Sequence, residues 1–435
     1  MATCEWVGNA LAVAQVHTWT FAGTWEATDV INVTINGKTI SVVAGSTVAA
    51  TVATTVYTEI AASTIPEFRE ITWTDDAAAV ITGTAATAGL PFVCTFTTTE
   101  TGGGAADAQT INGSASSTGT VVYAASGPND VANTANWSGA ALPVDGDTII
   151  IRRGVSLLYG LTALASVTPA VLKIFSEFWA NGSRIGLPEI HGTGASAYVE
   201  YRSTFLEIDG ATVAEIGLGS NTSGNSLLNI DFKTGAVALT VHRTPSSVDS
   251  SRPPLCLAIN PGTVSNGTLE VLSGNVGLGF YNETCKVVAK VGYRTNKASD
   301  STVYFGPNVT HGATFTQSGG VVEINSATTL IEKTGGTLTI NGTGAHPTLN
   351  NYEGAVVYNS TGTLGATLVK LGAEASLDFG QDLSTKTLGS TIQAYAGAEI
   401  NVPADVVTSF AFKAVGCRLE DIKVASQFDK TWTPS

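Results

Sequence analysis

A short phrase recurs through the C-terminal half of the chain, and its spacing restricts the fold more than any other feature. It reads Ser318-Gly319-Gly320-Val321-Val322-Glu323-Ile324-Asn325, then Thr334-Gly335-Gly336-Thr337-Leu338-Thr339-Ile340-Asn341. Looser copies stand at Glu353-Gly354-Ala355-Val356-Val357-Tyr358-Asn359, Leu371-Gly372-Ala373-Glu374-Ala375-Ser376-Leu377-Asp378 and Ala396-Gly397-Ala398-Glu399-Ile400-Asn401. Each copy is a glycine turn followed by alternating residues, the pattern of a short strand. The turn glycines Gly319, Gly335, Gly354, Gly372 and Gly397 lie 16 to 25 residues apart. That is the period of a solenoid, in which one coil cannot bury its apolar face until the next stacks on it.

Composition agrees with a mostly β chain. Only 13% of the 435 residues are charged, and 47 are glycine. Helical proteins carry more Glu, Lys and Arg, whose straight side chains keep more rotamer freedom in helices. The 43% apolar content excludes general disorder. A net charge of −14 argues against nucleic acid and anionic membrane surfaces as partners, because phosphate neutralisation needs clustered cations. The longest basic cluster is Arg152-Arg153. The cysteines Cys4, Cys94, Cys256, Cys285 and Cys417 are far apart and odd in number, so neither a zinc site nor a disulfide framework is expected. No basic and apolar leader opens the sequence and no long apolar run interrupts it, so neither an export signal nor a transmembrane helix is expected.

Five regions follow along the chain. Residues 1–20 read as an apolar arm containing Trp6, Val7, Leu11, Val13, Val16 and Trp19. Residues 21–100 read as a small α+β module. Asn36-Gly37 is a strong hairpin signal between Val30–Ile35 and Lys38–Val42. Ser46 is the expected N-cap of a helix whose Val48, Val52, Val56 and Ile60 share one face. Strands are expected at Ile71–Thr74, Ala79–Gly83 and Phe92–Phe96. Residues 101–127 read as a Gly/Ser/Thr-rich linker with one short strand, Val121-Val122-Tyr123. Residues 128–405 read as the β-helix or β-solenoid. It opens at Asn136-Trp137-Ser138-Gly139, passes the Asp145-Gly146-Asp147 turn into Thr148-Ile149-Ile150-Ile151, and carries further strands at Tyr198–Tyr201, Phe205–Ile208 and Val237–Val241. Its regular coils are expected from about Thr268 to Pro403. Residues 406–435 read as a C-terminal cap.

The search for chemistry assigns no catalytic, cofactor-binding or metal-binding residue. Asp145-Gly146-Asp147 and Asp75-Asp76 read as turns, since Asp and Gly supply turn geometry. The pair Glu420-Asp421 is isolated, and the acids of the regular coils are dispersed. The histidines His17, His191, His242, His311 and His346 show no metal-ligand spacing. Neither a serine-hydrolase elbow nor a phosphate-binding loop is present. The sequons at Asn282 and Asn341 carry no meaning without a secretory route. Aromatic residues along the solenoid (Tyr198, Tyr201, Phe205, Tyr293, Tyr304, Phe305, Tyr352, Tyr358, Phe379, Tyr395) would bind sugar rings if they shared an outer face. Inward packing or a subunit surface is the simpler expectation.

Three segments carry a resemblance: Val33-Thr34-Ile35-Asn36-Gly37-Lys38 with its helix, Asn136 through Asp147, and the Gly-Gly coils near residues 319 and 335. Together they resemble virion structural proteins of tailed bacteriophages with a β-solenoid body. The resemblance implies a non-enzymatic structural or attachment protein, a homotrimer, located in the virion after synthesis in the host cytoplasm. Its partners would be the major capsid protein or other virion proteins, with a host-surface glycan as a further candidate. No cofactor, nucleic acid or membrane is implied. Capsid decoration is the favoured role, because few residues follow the coils to build a receptor-binding tip. A tail fibre, tailspike or baseplate component is the alternative, followed by a polysaccharide-binding or polysaccharide-degrading β-helix protein.

Overall fold

The computed structural model describes residues 2–101, 108–186, 190–191, 198–199, 204–221, 224–247, 251–260, 262, 267–292, 301–312, 314–403, 406–407 and 411–426. It is mostly β, with a long parallel sheet. Its compact units are residues 1–7, 137–187 and 203–435 on one hand, and residues 8–136 and 188–202 on the other. Among the described residues, no helix is long and apolar enough to cross a membrane.

In the smaller unit, two antiparallel sheets share one core. One runs Lys38–Val43, Val30–Ile35, Cys94–Thr99, Ser116–Ser117; the other runs Thr120–Tyr123, Val16–Ala22, Val80–Ala85, Ile71–Asp75. Asn36 and Gly37 both take positive φ, 49° and 84°, which makes the two-residue turn match the twist of its strands. The helix Ala49–Ala61 turns Val52, Ala53, Val56 and Ile60 inward. It starts later than the sequence suggests. Val48 occupies the cap position without a side-chain bond, and the Ser46 hydroxyl instead accepts the Val48 N–H at 3.1 Å. Packing therefore holds this Thr- and Val-rich helix in place of a cap.

Val16–Ala22, partly inside the segment read as an apolar arm, is an inner strand whose Trp19 is fully buried and stacks on Phe96 at 4.7 Å. The short strand expected at Val121–Tyr123 is present as Thr120–Tyr123 and pairs antiparallel with Val16–Ala22. A neighbouring glycine makes room for the indole. A Cβ on Gly119, whose φ is +86°, would come within 2.8 Å of the Trp19 ring.

In the larger unit, twenty-three of the described strands join one sheet, and from Thr148 onward every pairing in it is parallel. Two rows of strands interleave. One row links Thr148–Ile151, Val171–Phe175, Ala211–Leu218, Val237–Val241, Gly267–Val271 and Cys285–Val291. The other links Leu206–Ile208, Leu228–Phe232, Leu255–Ile259, Asn275–Leu278, Thr302–Phe305 and Val321–Ile324. The long strands Leu330–Ile340, His346–Tyr358 and Thr363–Asp378 then serve both rows. Parallel order thus begins well before Thr268, where the regular coils were expected to start. It also continues past Pro403, since Glu399–Val402 pairs with Lys423–Ser426. Tyr198–Val199 lies outside this sheet and pairs antiparallel with Ile190–His191.

The register explains the phrase that recurs in the sequence. Val322, Leu338, Val356, Leu377 and Ile400 are consecutive partners, all buried. Full burial of each such side chain contributes about 1.5–3 kcal/mol. The turn glycines also lie against one another. A Cβ on Gly336 would sit 2.3 Å from the Gly320 carbonyl oxygen, and one on Gly354 would sit 2.3 Å from that of Gly336. Their φ values of +73°, +76° and +82° exclude an ordinary side chain independently of space.

Ile324→Asp or Ile340→Asp should prevent folding, because both side chains are fully buried and an unpaired buried charge costs several kcal/mol. Val321→Asp, at a half-exposed position of the same strand, should cost under about 1 kcal/mol. Glu323→Ala should cost about 1 kcal/mol, since its carboxylate accepts the amides of Asn325 and Asn341 at 3.1 and 2.9 Å. Denaturant titration of the four variants checks this register; equal tolerance at Ile340 and Val321 would refute it.

Candidate functional site

The outer side of the second row is covered over part of its length by its own loops. Asn229, Cys256, Gly277, Tyr304 and Glu323 are successive partners in register. Gly277 matters because a Cβ there would meet Pro253 at 2.9 Å and Phe280 at 3.0 Å. Without a side chain at that point, the segment after Leu278 folds back over the sheet. Gly279 and Asn282 take positive φ, 64° and 71°, and the Asn282 N–H bonds to the Gly279 carbonyl.

Four half-buried rings gather there. Phe205 meets Tyr281 edge-on at 6.0 Å, Tyr281 meets Phe280 at 5.1 Å, and Phe280 meets Tyr304 at 5.3 Å. Charged groups surround them. Arg252 Nη1 lies 3.5 Å from the Tyr281 hydroxyl, and Glu283 accepts the Tyr281 N–H at 3.0 Å. Glu207 and Asp231, partners in register, are bridged by Lys233 at 3.3 and 3.5 Å.

Burial dominates the electrostatics of this face. It raises the Asp231 carboxyl above the usual range, Lys233 pulls the other way, and Glu207 adds repulsion. Glu283 is likewise raised by burial. Burial opposes the charge on Lys233, but the two carboxylates outweigh it and keep its pKa above the ordinary value. Beneath the rings, burial pushes the Cys256 thiol up to about 12, so it is a protonated packing group. The arrangement offers ring faces and edges for apolar contact, with carboxylates and a guanidinium nearby for hydroxyl groups.

The aromatic residues named from the sequence separate into distinct sets. Phe305, Tyr358 and Phe379 point inward and are buried. Phe205 and Tyr304 join the outer cluster, together with Phe280 and Tyr281, which sequence reasoning missed. The Gly-Phe-Tyr-Asn run that carries them is a turn signal, and only the register shows what the turn covers. Tyr352 is exposed, and Lys370 lies 5.9 Å over the Tyr395 ring. The side chain of Tyr198, together with Tyr201 and Tyr293, lies outside the described residues.

The acidic pairs behave as turns. Asp75 and Asp76 accept the N–H groups of Ala77, Ala78 and Val80. Asp147 does more, accepting the Ala2 N–H at 2.7 Å and the Val144 N–H at 3.2 Å, which holds its pKa down. Two hydroxyl–imidazole pairs have the distances of a nucleophile and its base: Ser326 with His311 at 3.2 Å, and Thr328 with His346 at 2.8 Å. All four residues are buried, and the imidazoles pack against Phe305, Phe315 and Tyr358. Burial lowers both imidazoles to about 4, with mutual repulsion adding to the effect on His311. They are neutral groups packed among aromatic rings.

These two histidines make stability depend on pH. Their folded pKa values, about 4, lie below the value of about 6.5 expected in the unfolded chain. As pH falls, the unfolded chain takes up protons first, so the contribution is full above about pH 6.5 and lost progressively down to about pH 4. Each residue contributes a slope approaching about 1.4 kcal/mol per pH unit in that window. Denaturant unfolding at pH 7 and 4.5 should show a loss that shrinks in His346→Gln.

Comparison of the chain with protein-family models, with curated proteins and with solved structures returns no match.

Proposed function

We propose that the chain is a non-enzymatic structural protein whose interleaved parallel rows form a β-solenoid, and that it decorates the head of a tailed bacteriophage as a homotrimer. The observation that carries the structural part is where its polar side chains are used. Inside, Gln317, Lys333 and Asn351 follow one another in register and donate to carbonyls at the glycine turns. Outside, Asn341 donates to Glu323 at 2.9 Å and Asn359 to Asn341 at 3.1 Å, tying one pass to the next. Groups that could do chemistry are thereby engaged in holding the body rigid, as a load-carrying surface protein requires. The virion role rests on the sequence resemblance alone.

A second reading, host attachment through a tail fibre or tailspike, is favoured by one observation: the half-buried ring cluster of Phe205, Phe280, Tyr281 and Tyr304 with its charged rim. Such a face suits sugar rings, which pair apolar ring faces with hydroxyls.

Quantitative mass spectrometry of separated heads and tails distinguishes these roles. Many copies on heads are expected for decoration; a few copies following tails would replace it with attachment. In that case Tyr281→Ala should abolish binding to host polysaccharide, and Tyr281→Phe, which keeps the ring, should leave the unfolding midpoint nearly unchanged.

A further inference from the structure

In the smaller unit, Val30–Ile35 and Cys94–Thr99 run antiparallel, and their last described partners at one end are Val30 and Thr99. The next residues outward are Asp29 and Glu100, so the register brings two carboxylates to the same end of the pair. Like charges directly opposite destabilise such a pair. The turn before Val30 brings a third, Glu26, and ligand oxygens of Glu26, Asp29 and Glu100 all lie within 4.8 Å of one another.

Asp29 sets this group apart from an ordinary acidic surface. Its side chain is fully buried, yet its Oδ1 has no hydrogen-bond partner among the described residues. Its Oδ2 accepts the Glu26 N–H at 2.7 Å, which fixes the carboxylate in place. Gln109 donates to one oxygen of Glu100 at 3.3 Å, which orients that carboxylate as well. A buried carboxylate oxygen without a partner is expensive unless a cation or a proton meets it.

We propose that Glu26, Asp29 and Glu100 form a calcium site that fastens the end of the Val30–Ile35 and Cys94–Thr99 pair. All three donors are hard carboxylate oxygens, the chemistry that calcium selects. Oxygens about 2.3–2.6 Å from a common ion lie at most about 5 Å apart, which agrees with the observed clustering. The site is independent of any role in a virion.

Isothermal titration of the full-length chain with calcium chloride, after treatment with chelator, tests the proposal together with thermal unfolding. Calcium should bind and raise the unfolding midpoint. Asp29→Asn should weaken binding by on the order of tenfold or more, since affinity follows the charge of the ligand set. In chelator, that variant should be no less stable than the parent chain, because the unpaired buried charge is gone. Glu100→Gln serves as the second variant and should also weaken binding. Absence of both heat and midpoint shift with calcium, or an equal calcium response in the parent and both variants, would overturn the site; in the first case a proton on Asp29 takes the place of the ion.

Discussion

The larger unit depends on how its chain turns between rows. Parallel strands can share a register only if each pass turns at the same place, and here the turn is made by glycines lying against one another at Gly320, Gly336 and Gly354. Such close approach exposes carbonyls to the interior, where each must find a donor. Gln317, Lys333 and Asn351, all fully buried, provide those donors from the adjoining strand. Lys333 shows how strong the demand is. Burial lowers its pKa to about 8 against the opposing pull of the Glu353 charge, and its Nζ donates to the Glu353 carbonyl. The apolar rows of Val322, Leu338 and Val356 pack on the framework these corners establish.

Much of this architecture was legible in the chain. Alternation after each glycine turn gave the inward side of Ile324 and Ile340, and Asn36-Gly37 gave its hairpin, because both depend on local geometry. What escaped was set by distant partners. The sequence alone places Trp19 in an arm because nothing near it in sequence signals the Phe96 ring on which it stacks. Thr120–Tyr123 resembled a linker strand because its pairing partner lies a hundred residues earlier. The early rows, from Thr148 to Val271, lack a repeated phrase, since loops of unequal length separate strands that nonetheless align.

The outer ring cluster was invisible for a related reason. Its members come from three separate stretches and meet only because Gly277 admits a turn over the sheet. The polar residue just before each glycine turn recurs in the sequence at Gln317, Lys333 and Asn351, a signal the sequence analysis does not use. A long polar side chain recurring at one point of a repeat, beside inward apolar residues, marks a corner whose carbonyls need donors. The acidic turns were read correctly as turns, but Asp147 also holds the Thr3–Glu5 strand by its backbone.

That strand bears on the order in which the protein can assemble. Thr3–Glu5 pairs in parallel with Thr148–Ile150, and the Asp147 carboxylate that receives Ala2 stands 145 residues away along the chain. Every later parallel contact joins segments much nearer in sequence. On a ribosome, Thr3–Glu5 emerges early and must wait until residues 8–136 and its partner strand Thr148–Ile151 have followed. Its docking therefore requires the closure of a long loop, in a protein whose other rows can zip up from neighbour to neighbour as they are made.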